Sequence, residues 1–246
     1  MSEPEMDTPY HALITGSSRG IGRAIAVALA GMGCPITVNY VRNRQAAEDV
    51  VGVIHEGGGT AHAVQGDVSN ADDVAQLVKQ ARDALGPIAI LVNNAGIARH
   101  TSVFDNTLED FEATFATNVR GAFLLTQAVL PEMRDRGFGR LIFLSSIAAM
   151  TGGVISTAYA GSKAALVGMM HQYAESLAQW NITANAISPA FIDTDFFAGV
   201  PLPPAESLLL GRMGRPEEVA VVAQMIVTCE FMTGQTIHVN AGRYMT

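Results

Sequence analysis

Two cysteines, Cys34 and Cys229, are all the sulfhydryls this chain carries. At most one bridge could form, and neither residue belongs to a CxxC or metal-type spacing, so buried free thiols are expected and a metal centre is not. Positive charge is also scarce: 15 Lys and Arg stand against 23 Asp and Glu, for a net charge of −8. Binding to nucleic acid phosphates needs a basic face, which this balance excludes. No run of 18 apolar residues could cross a membrane. The start, Met1-Ser2-Glu3-Pro4-Glu5-Met6-Asp7, is acidic and polar rather than a secretion signal. A cytoplasmic address is the expectation. Repeats and low-complexity linkers are missing too. With 49% hydrophobic and only 15% charged residues, residues 1–246 are expected to form a single domain with a large core, preceded by a polar tail over 1–10.

What the chain does contain is a regular alternation of apolar strands and helical stretches. Strands are expected at His11–Ile14, Pro35–Tyr40, Thr60–Gly66, Ile88–Val92, Arg140–Leu144, Ile182–Ile187 and Gln235–Asn240. Helices are expected over 23–32, 44–55, 71–85, 108–133 and 157–178, with another beginning at Pro216. Pro201, Pro203 and Pro204 oppose a long helix between Thr194 and Leu210. The pattern predicts an α/β fold: one Rossmann-type, doubly wound, mostly parallel sheet of about seven strands with helices on both faces.

The first strand runs into Thr15-Gly16-Ser17-Ser18-Arg19-Gly20-Ile21-Gly22 and then a helix. Here Gly16 permits a sharp exit from the strand, Gly20 lets backbone N–H groups approach a pyrophosphate, and Gly22 allows close packing of helix on sheet. The helix N-terminus then faces the phosphates. At the end of the second strand, where an NAD enzyme usually places Asp or Glu for the ribose 2′-OH, this chain offers Asn39, Tyr40, Val41 and Arg42. No carboxylate is there to repel a phosphate. Arg42 and Arg19 could clamp a 2′-phosphate, or could be ordinary solvated arginines. Asp67 and Val68, ending the third strand, would flank the adenine. The small residues of Asn93-Asn94-Ala95-Gly96 leave room for a cofactor after the fourth strand.

Tyr159 and Lys163 stand four residues apart, so on a helix they share a face. A free phenol titrates near pH ~10 and is a poor proton shuttle at neutral pH unless a nearby cation favours the phenolate. Ser145 and Ser146 stand at the tip of the preceding strand, where reactive groups collect in open α/β sheets. A hydroxyl there and a Tyr/Lys pair on the next helix could hold and protonate a carbonyl oxygen. Asn118 reads equally as a buried amide or a catalytic one.

With these motifs in order, together with the segment from Pro189 to Thr194, the chain resembles the short-chain dehydrogenase/reductase family from Thr15 to Gly242. Within the family it is similar to the 3-oxoacyl-thioester reductases, including those acting on acyl carrier protein. The family places its serine thirteen positions before the tyrosine, which selects Ser146. The resemblance implies a catalytic set of Asn118, Ser146, Tyr159 and Lys163. It implies NADPH/NADP+ as cofactor, held by Gly16, Ser18, Arg19, Gly20, Ile21, Gly22, Asn39, Arg42, Asp67, Val68, Asn94, Ala95, Gly96, Tyr159, Lys163, Pro189, Ile192 and Thr194. In the implied reaction Tyr159 donates the proton, Ser146 holds the carbonyl oxygen, Lys163 binds the nicotinamide ribose and lowers the phenol pKa, and Asn118 supports a proton-supplying water. Ile192 and Thr194 would meet the carboxamide, and 191–210 would form the lid over the substrate. Ala190 stands where the family usually has Gly, and the 194–211 connection and the approach to Met232 are shorter than in many relatives.

The same resemblance implies a homotetramer paired through the helices of 108–133 and 157–178 and the last strand. Its substrate would be a small-molecule or thioester-bound carbonyl, with acyl carrier protein a possible partner. Such carriers are acidic, and reductases that dock them usually present basic residues. Beyond Lys163 the chain offers only Glu175 and Trp180, leaving Arg134, Arg136 and Arg140 to compensate.

Overall fold

The computed structural model describes residues 10–245, so the tail expected over 1–10 lies, apart from Tyr10, outside the described residues. In chain order the elements are β1 (His11–Ile14), α1 (Gly20–Ala30), β2 (Ile36–Tyr40), α2 (Arg44–Glu56), β3 (Ala61–Gln65), α3 (Ala71–Leu85) and β4 (Ile88–Asn93). Then follow α4 (Leu108–Phe115), a π-helical turn (Ala116–Arg120), α5 (Gly121–Arg136), β5 (Gly139–Leu144), α6 (Ala148–Thr151), α7 (Thr157–Leu177), β6 (Ile182–Pro189), α8 (Pro216–Thr228) and β7 (Thr236–Val239). The seven strands are parallel and lie in the order β3-β2-β1-β4-β5-β6-β7. The chain therefore starts in the middle, winds outward to β3, and returns to build the other half from β4. Between β1 and β4 the winding reverses, which opens a crevice at the strands' carboxyl ends.

Alternation within the strands divides the core in two. Ile14, Ile90, Val92, Ile142 and Leu144 face α1, α2 and α8, whereas Leu13, Leu91, Leu141 and Phe143 face α3, α5 and α7. Both faces are covered, which is why the central strands are mostly apolar rather than alternating, with the buried His11 and Arg140 as exceptions near the amino ends of β1 and β5.

One helical region departs from expectation. The stretch expected as a single helix over 108–133 is interrupted by the π turn, where the Gly121 N–H donates to the carbonyl of Ala116, and it extends to Arg136. Hydrophobic period does not distinguish this widened turn from a regular one. The lid region carries only two short 3₁₀ turns, Asp195–Phe197 and Ala205–Ser207, between its prolines.

A buried histidine on β1 joins β2 and the turn before β4 at the amino ends of the strands, opposite the crevice. His11 Nδ1 donates to the Gly86 carbonyl at 2.8 Å, and Nε2 accepts from the Thr37 hydroxyl at 2.8 Å. Burial lowers its pKa from 6.5 to about 4. Above pH 6.5 the ring is neutral whether the chain is folded or not. As pH falls from 6.5 towards 4 the unfolded chain takes up a proton that the folded chain refuses, so stability drops, by about 3 kcal/mol in full. Urea midpoints should fall through this window for the wild type and less steeply for His11→Gln. Equal slopes would assign the acid loss elsewhere.

Candidate active site

The glycine turn is held shape-first. Gly16 and Gly20 lie in the left-handed region (φ +61° and +56°), which glycine alone enters freely. The Gly16 N–H donates to Asn39 Oδ1 at 3.0 Å, while Asn39 Nδ2 donates to the Gly66 carbonyl at 3.0 Å. Asn39 is fully buried; its carboxamide ties β1, β2 and the end of β3 together and faces inward. On the other side Asn94 Nδ2 donates to the Thr15 carbonyl at 2.7 Å, and Ala95 N–H to Thr15 Oγ1 at 2.9 Å. A Cβ on Gly22 would stand 2.5 Å from Asn94 Nδ2, so α1 sits directly on the β4 tip. A Cβ on Gly20 would come to 3.4 Å from Thr194, which places the turn against the segment after β6. Ser18 and Ile21 are half-buried on the turn, and the helix N-terminus is uncapped by any side chain. These are the features a pyrophosphate requires.

Arg19 and Arg42 are both exposed beside this turn. Arg19 stands 3.9 Å from Asp195 on the lid segment. Asp67 is half-buried, and its Oδ1 accepts from the Ser69 N–H and hydroxyl at 2.9 and 2.7 Å. Val68 is buried, its carbonyl so close to Gly121 that a Cβ there would come to 2.8 Å.

At the tip of β5 the two serines take different tasks. Ser145 Oγ is buried and donates to the backbone carbonyl of Lys163 at 2.9 Å, fixing α7 to the strand. Ser146 instead lines the same cleft as Tyr159, and its Oγ accepts from the Ala148 N–H at 3.1 Å. Ser156 caps α7 by accepting from the Tyr159 N–H at 3.2 Å, so Tyr159 is set in the first turn and Lys163 one turn on. Lys163 Nζ donates to the Leu144 carbonyl at 2.6 Å and lies 5.6 Å from the Tyr159 ring centre. Only one of its three protons is engaged there.

Asn118, in the π turn, accepts from the Ile97 N–H at 2.8 Å and donates to the Ile97 carbonyl at 3.1 Å and Ser162 Oγ at 3.0 Å. Gly96 lies between it and Lys163: a Cβ on Gly96 would be 3.2 Å from Asn118 Oδ1 and 3.4 Å from Lys163 Nζ. All four expected catalytic residues thus border the crevice. Pro189 ends β6, and Ile192 is buried, bridging to Gly214.

Two expectations are corrected. The phenol pKa stands raised rather than lowered: burial pushes Tyr159 up to about 12, against a smaller downward pull from Ser146, and pushes Lys163 down to about 8. At neutral pH the phenol therefore keeps the proton that a reductase must give. Second, Arg140 cannot meet an acidic partner, being fully buried with its guanidinium on the carbonyls of Val227, Gly139 and Asn181. Arg134 and Arg136 end α5, which delivers the chain to the start of β5 and hence to the sheet edge opposite the crevice.

Beside Tyr159 opens a cleft lined by Ser146, Ile147, Val154, Ile155, Phe191 and Phe197 among others, and by Arg243. Sequence reading missed Arg243, as it missed the supports Ser145 and Ser162. The serines had a signal: one sits beside Ser146, the other one turn beyond Tyr159 on its helix.

A crevice at the reversal of a parallel sheet, walled by a glycine turn and a Ser-Tyr-Lys cluster, defines a nucleotide-linked carbonyl/alcohol oxidoreductase site. The family model described as short chain dehydrogenase matches residues 10–202, and the chain belongs to that family. It is 42% identical over 242 residues to a 3-oxoacyl-[acyl-carrier-protein] reductase of Synechocystis sp., covering 97% of this chain and 98% of the relative. Identity to the Staphylococcus aureus (strain Mu50) reductase FabG is 35% over 240 residues, covering 95% and 98%. Among solved structures, a blue fluorescent protein from a metagenomic library, in complex with NADPH, superposes with TM-score 0.89 at 36% identity, covering 96% of this chain and 98% of that one.

Proposed function

We propose that the protein is an NADPH-dependent reductase converting 3-oxoacyl thioesters to 3-hydroxyacyl thioesters. The observation that carries the reading is the buried, protonated Tyr159 phenol, which shares a largely apolar cleft with Ser146 and stands one helical turn from Lys163. The cofactor supplies the hydride when bound. The chain's residues do the rest: Ser146 holds the carbonyl oxygen, Tyr159 gives it a proton, and Lys163, with two protons unengaged, binds the ribose hydroxyls. Asn118, itself held by Ser162, fixes the backbone of Ile97 and supports the path by which the proton is resupplied. Gly16, Gly20, Gly22, Asn94, Ala95 and Gly96 shape the dinucleotide cradle, Asp67 and Val68 its adenine end, and Ile192 and Thr194 its carboxamide end.

Exposed Arg42 and Arg19 favour NADPH over NADH by ~1–3 kcal/mol, the usual value of charge-assisted contacts to a phosphate. Titrating both cofactors into wild type and Arg42→Ala checks this, and an unchanged preference in the variant would contradict the clamp.

With the basic residues of α5 on the far edge, carrier-protein docking loses its only sequence-level candidates near Ser146. The relatives' names support a carrier-bound substrate. NADPH oxidation should be compared with acetoacetyl-carrier protein, acetoacetyl-CoA and a neutral 3-oxo ester at low and raised salt. A carrier substrate no better than the ester, with no salt effect, would leave a general ketone reductase. A homotetramer is supported by two separate apolar surfaces, Phe111 and Phe123 on one side and Val221, Met225 and Phe231 on another. Light scattering showing a monomer at micromolar concentration would refute it.

A further inference from the structure

The catalytic cleft is largely apolar, and apart from the reacting hydroxyls its polar side chains are Thr151, whose hydroxyl donates to the Ile147 carbonyl, and Arg243, its one charged group. This residue follows β7 in a turn that is fixed from several directions. Asn240 Oδ1 accepts from the Gly242 N–H at 2.9 Å, its Nδ2 donates to the Tyr244 carbonyl at 2.9 Å, and the Arg243 N–H donates to the Asn240 carbonyl at 3.0 Å. Ala241 is held in the left-handed region at φ +48° although it has a Cβ, and Gly242 at φ +75°. A Cβ on Gly242 would meet Leu209 at 2.7 Å, so the turn is also pressed against the lid segment. Strain of this kind persists only where the surroundings over-determine the backbone.

The turn delivers Arg243 to the partition between two cavities. Its Cζ lies 5.7 Å from the Phe191 ring centre, which orients the planar group. Phe191, Ala190 and Arg243 line both the catalytic cleft and an adjoining pocket. The neighbouring Arg212 is paired with Glu218 by two hydrogen bonds, at 2.8 and 2.6 Å, and its charge is spent. Among the described residues no carboxylate comes within ion-pair distance of Arg243. Arg243 is exposed, so its unspent guanidinium stands at the open rim of a largely apolar cleft, where it matches a planar or tetrahedral oxyanion.

We propose that Arg243 is a specificity-determining residue that binds an anionic group of the substrate, remote from the reacting carbonyl. The inference rests on the reductase reading of the same site. Two sources share this chemistry: a phosphate on the thioester arm, and a carboxylate at the far end of the acyl group.

Steady-state reduction by wild type, Arg243→Met and Arg243→Lys separates them, using ethyl acetoacetate (neutral), acetoacetyl-CoA (arm phosphates) and the ethyl half-ester of 3-oxoadipate (terminal carboxylate). The Met variant should lose roughly tenfold or more in kcat/KM, through KM, toward an anionic substrate, stay within about twofold toward the neutral ester, and be partly restored by Lys. Loss confined to the CoA substrate places the anion on the arm, and loss confined to the half-ester places it on the acyl chain. Equal losses toward neutral and anionic substrates, or no loss at all, would overturn the proposal. If wild type reduces none of the three, the reductase reading fails, and calorimetric titration of CoA and of adipate decides about Arg243 alone. Weaker binding of either by Arg243→Met supports an anion site, and identical binding by both proteins ends it.

Discussion

Replacing Tyr159 with Phe should lower turnover by a factor of ~10² or more, which is a loss of at least ~2.7 kcal/mol of transition-state stabilisation. The ring stays, so the apolar contacts around it, including the tilted pair with Phe196 at 5.9 Å, stay with it. What goes is the only phenolic proton in the cleft. NADPH affinity should be nearly unchanged, because Lys163 keeps its hold on the Leu144 carbonyl and the glycine turn is not touched. The deficit should appear in kcat and in kcat/KM alike, the mark of an interaction made in the transition state. With the phenol pushed up to about 12, wild-type reduction should not decline through loss of its proton anywhere near neutral pH. Undiminished turnover in the Phe variant would remove Tyr159 from the chemistry and with it the proposed mechanism.

Gly22→Ala is expected to have the second largest effect, although it adds one methyl group. The new Cβ would lie 2.5 Å from Asn94 Nδ2, 2.7 Å from the Gly16 carbonyl and 2.9 Å from Ser17 Cα. Two of these three neighbours are backbone, and the third is the amide that ties the β4 tip to Thr15. None is the free end of a flexible side chain. Overpacking of this sort typically costs ~1–3 kcal/mol, and here relief requires moving α1 away from the sheet. That movement also carries the helix N-terminus away from the phosphates. A fall in NADPH affinity of roughly tenfold, together with a lowered Tm, is therefore expected. Fluorescence titration and thermal unfolding measure the two separately. Wild-type values for both would mean that the contact at Gly22 is looser than the structure shows.

The halves of the molecule differ in how openly the sequence declares them. β4 and β5 are legible because a strand buried on both faces is apolar over most of its length, as at Ile88–Val92 and Leu141–Leu144, and the glycine turn is legible because φ near +60° at Gly16 and Gly20 excludes most other residues. α3 could be bounded because Asn70 caps it, accepting from the N–H groups of Asp72 and Asp73. The arginines show where such reading stops. Arg134, Arg136 and Arg140 are close to Ser146 in sequence, but the first two precede β5 and Arg140 is its second residue, so at roughly 3.3 Å per residue the strand puts them about 13–20 Å from its far end. Arg243 is the converse: it enters the catalytic cleft from the last turn of the chain, and no local pattern links it to Tyr159. The direction of the Lys163 ammonium was equally hidden, since it depends on the Leu144 carbonyl across the gap between helix and strand.

A π turn holds one residue more than the α-helix around it needs, so Ala116–Arg120 amounts to a single-residue insertion between α4 and α5. Each helical residue turns the chain by about 100°. Without the extra residue, α4 and α5 would join into one straight rod whose two halves were misphased by that angle. Thr126, Val129 and Met133 could still face the sheet, but Asn118 would swing away from Ile97 and Ser162. The insertion thus lets one rod satisfy two masters: its far half obeys the period of the core, and its near half obeys the position of one amide.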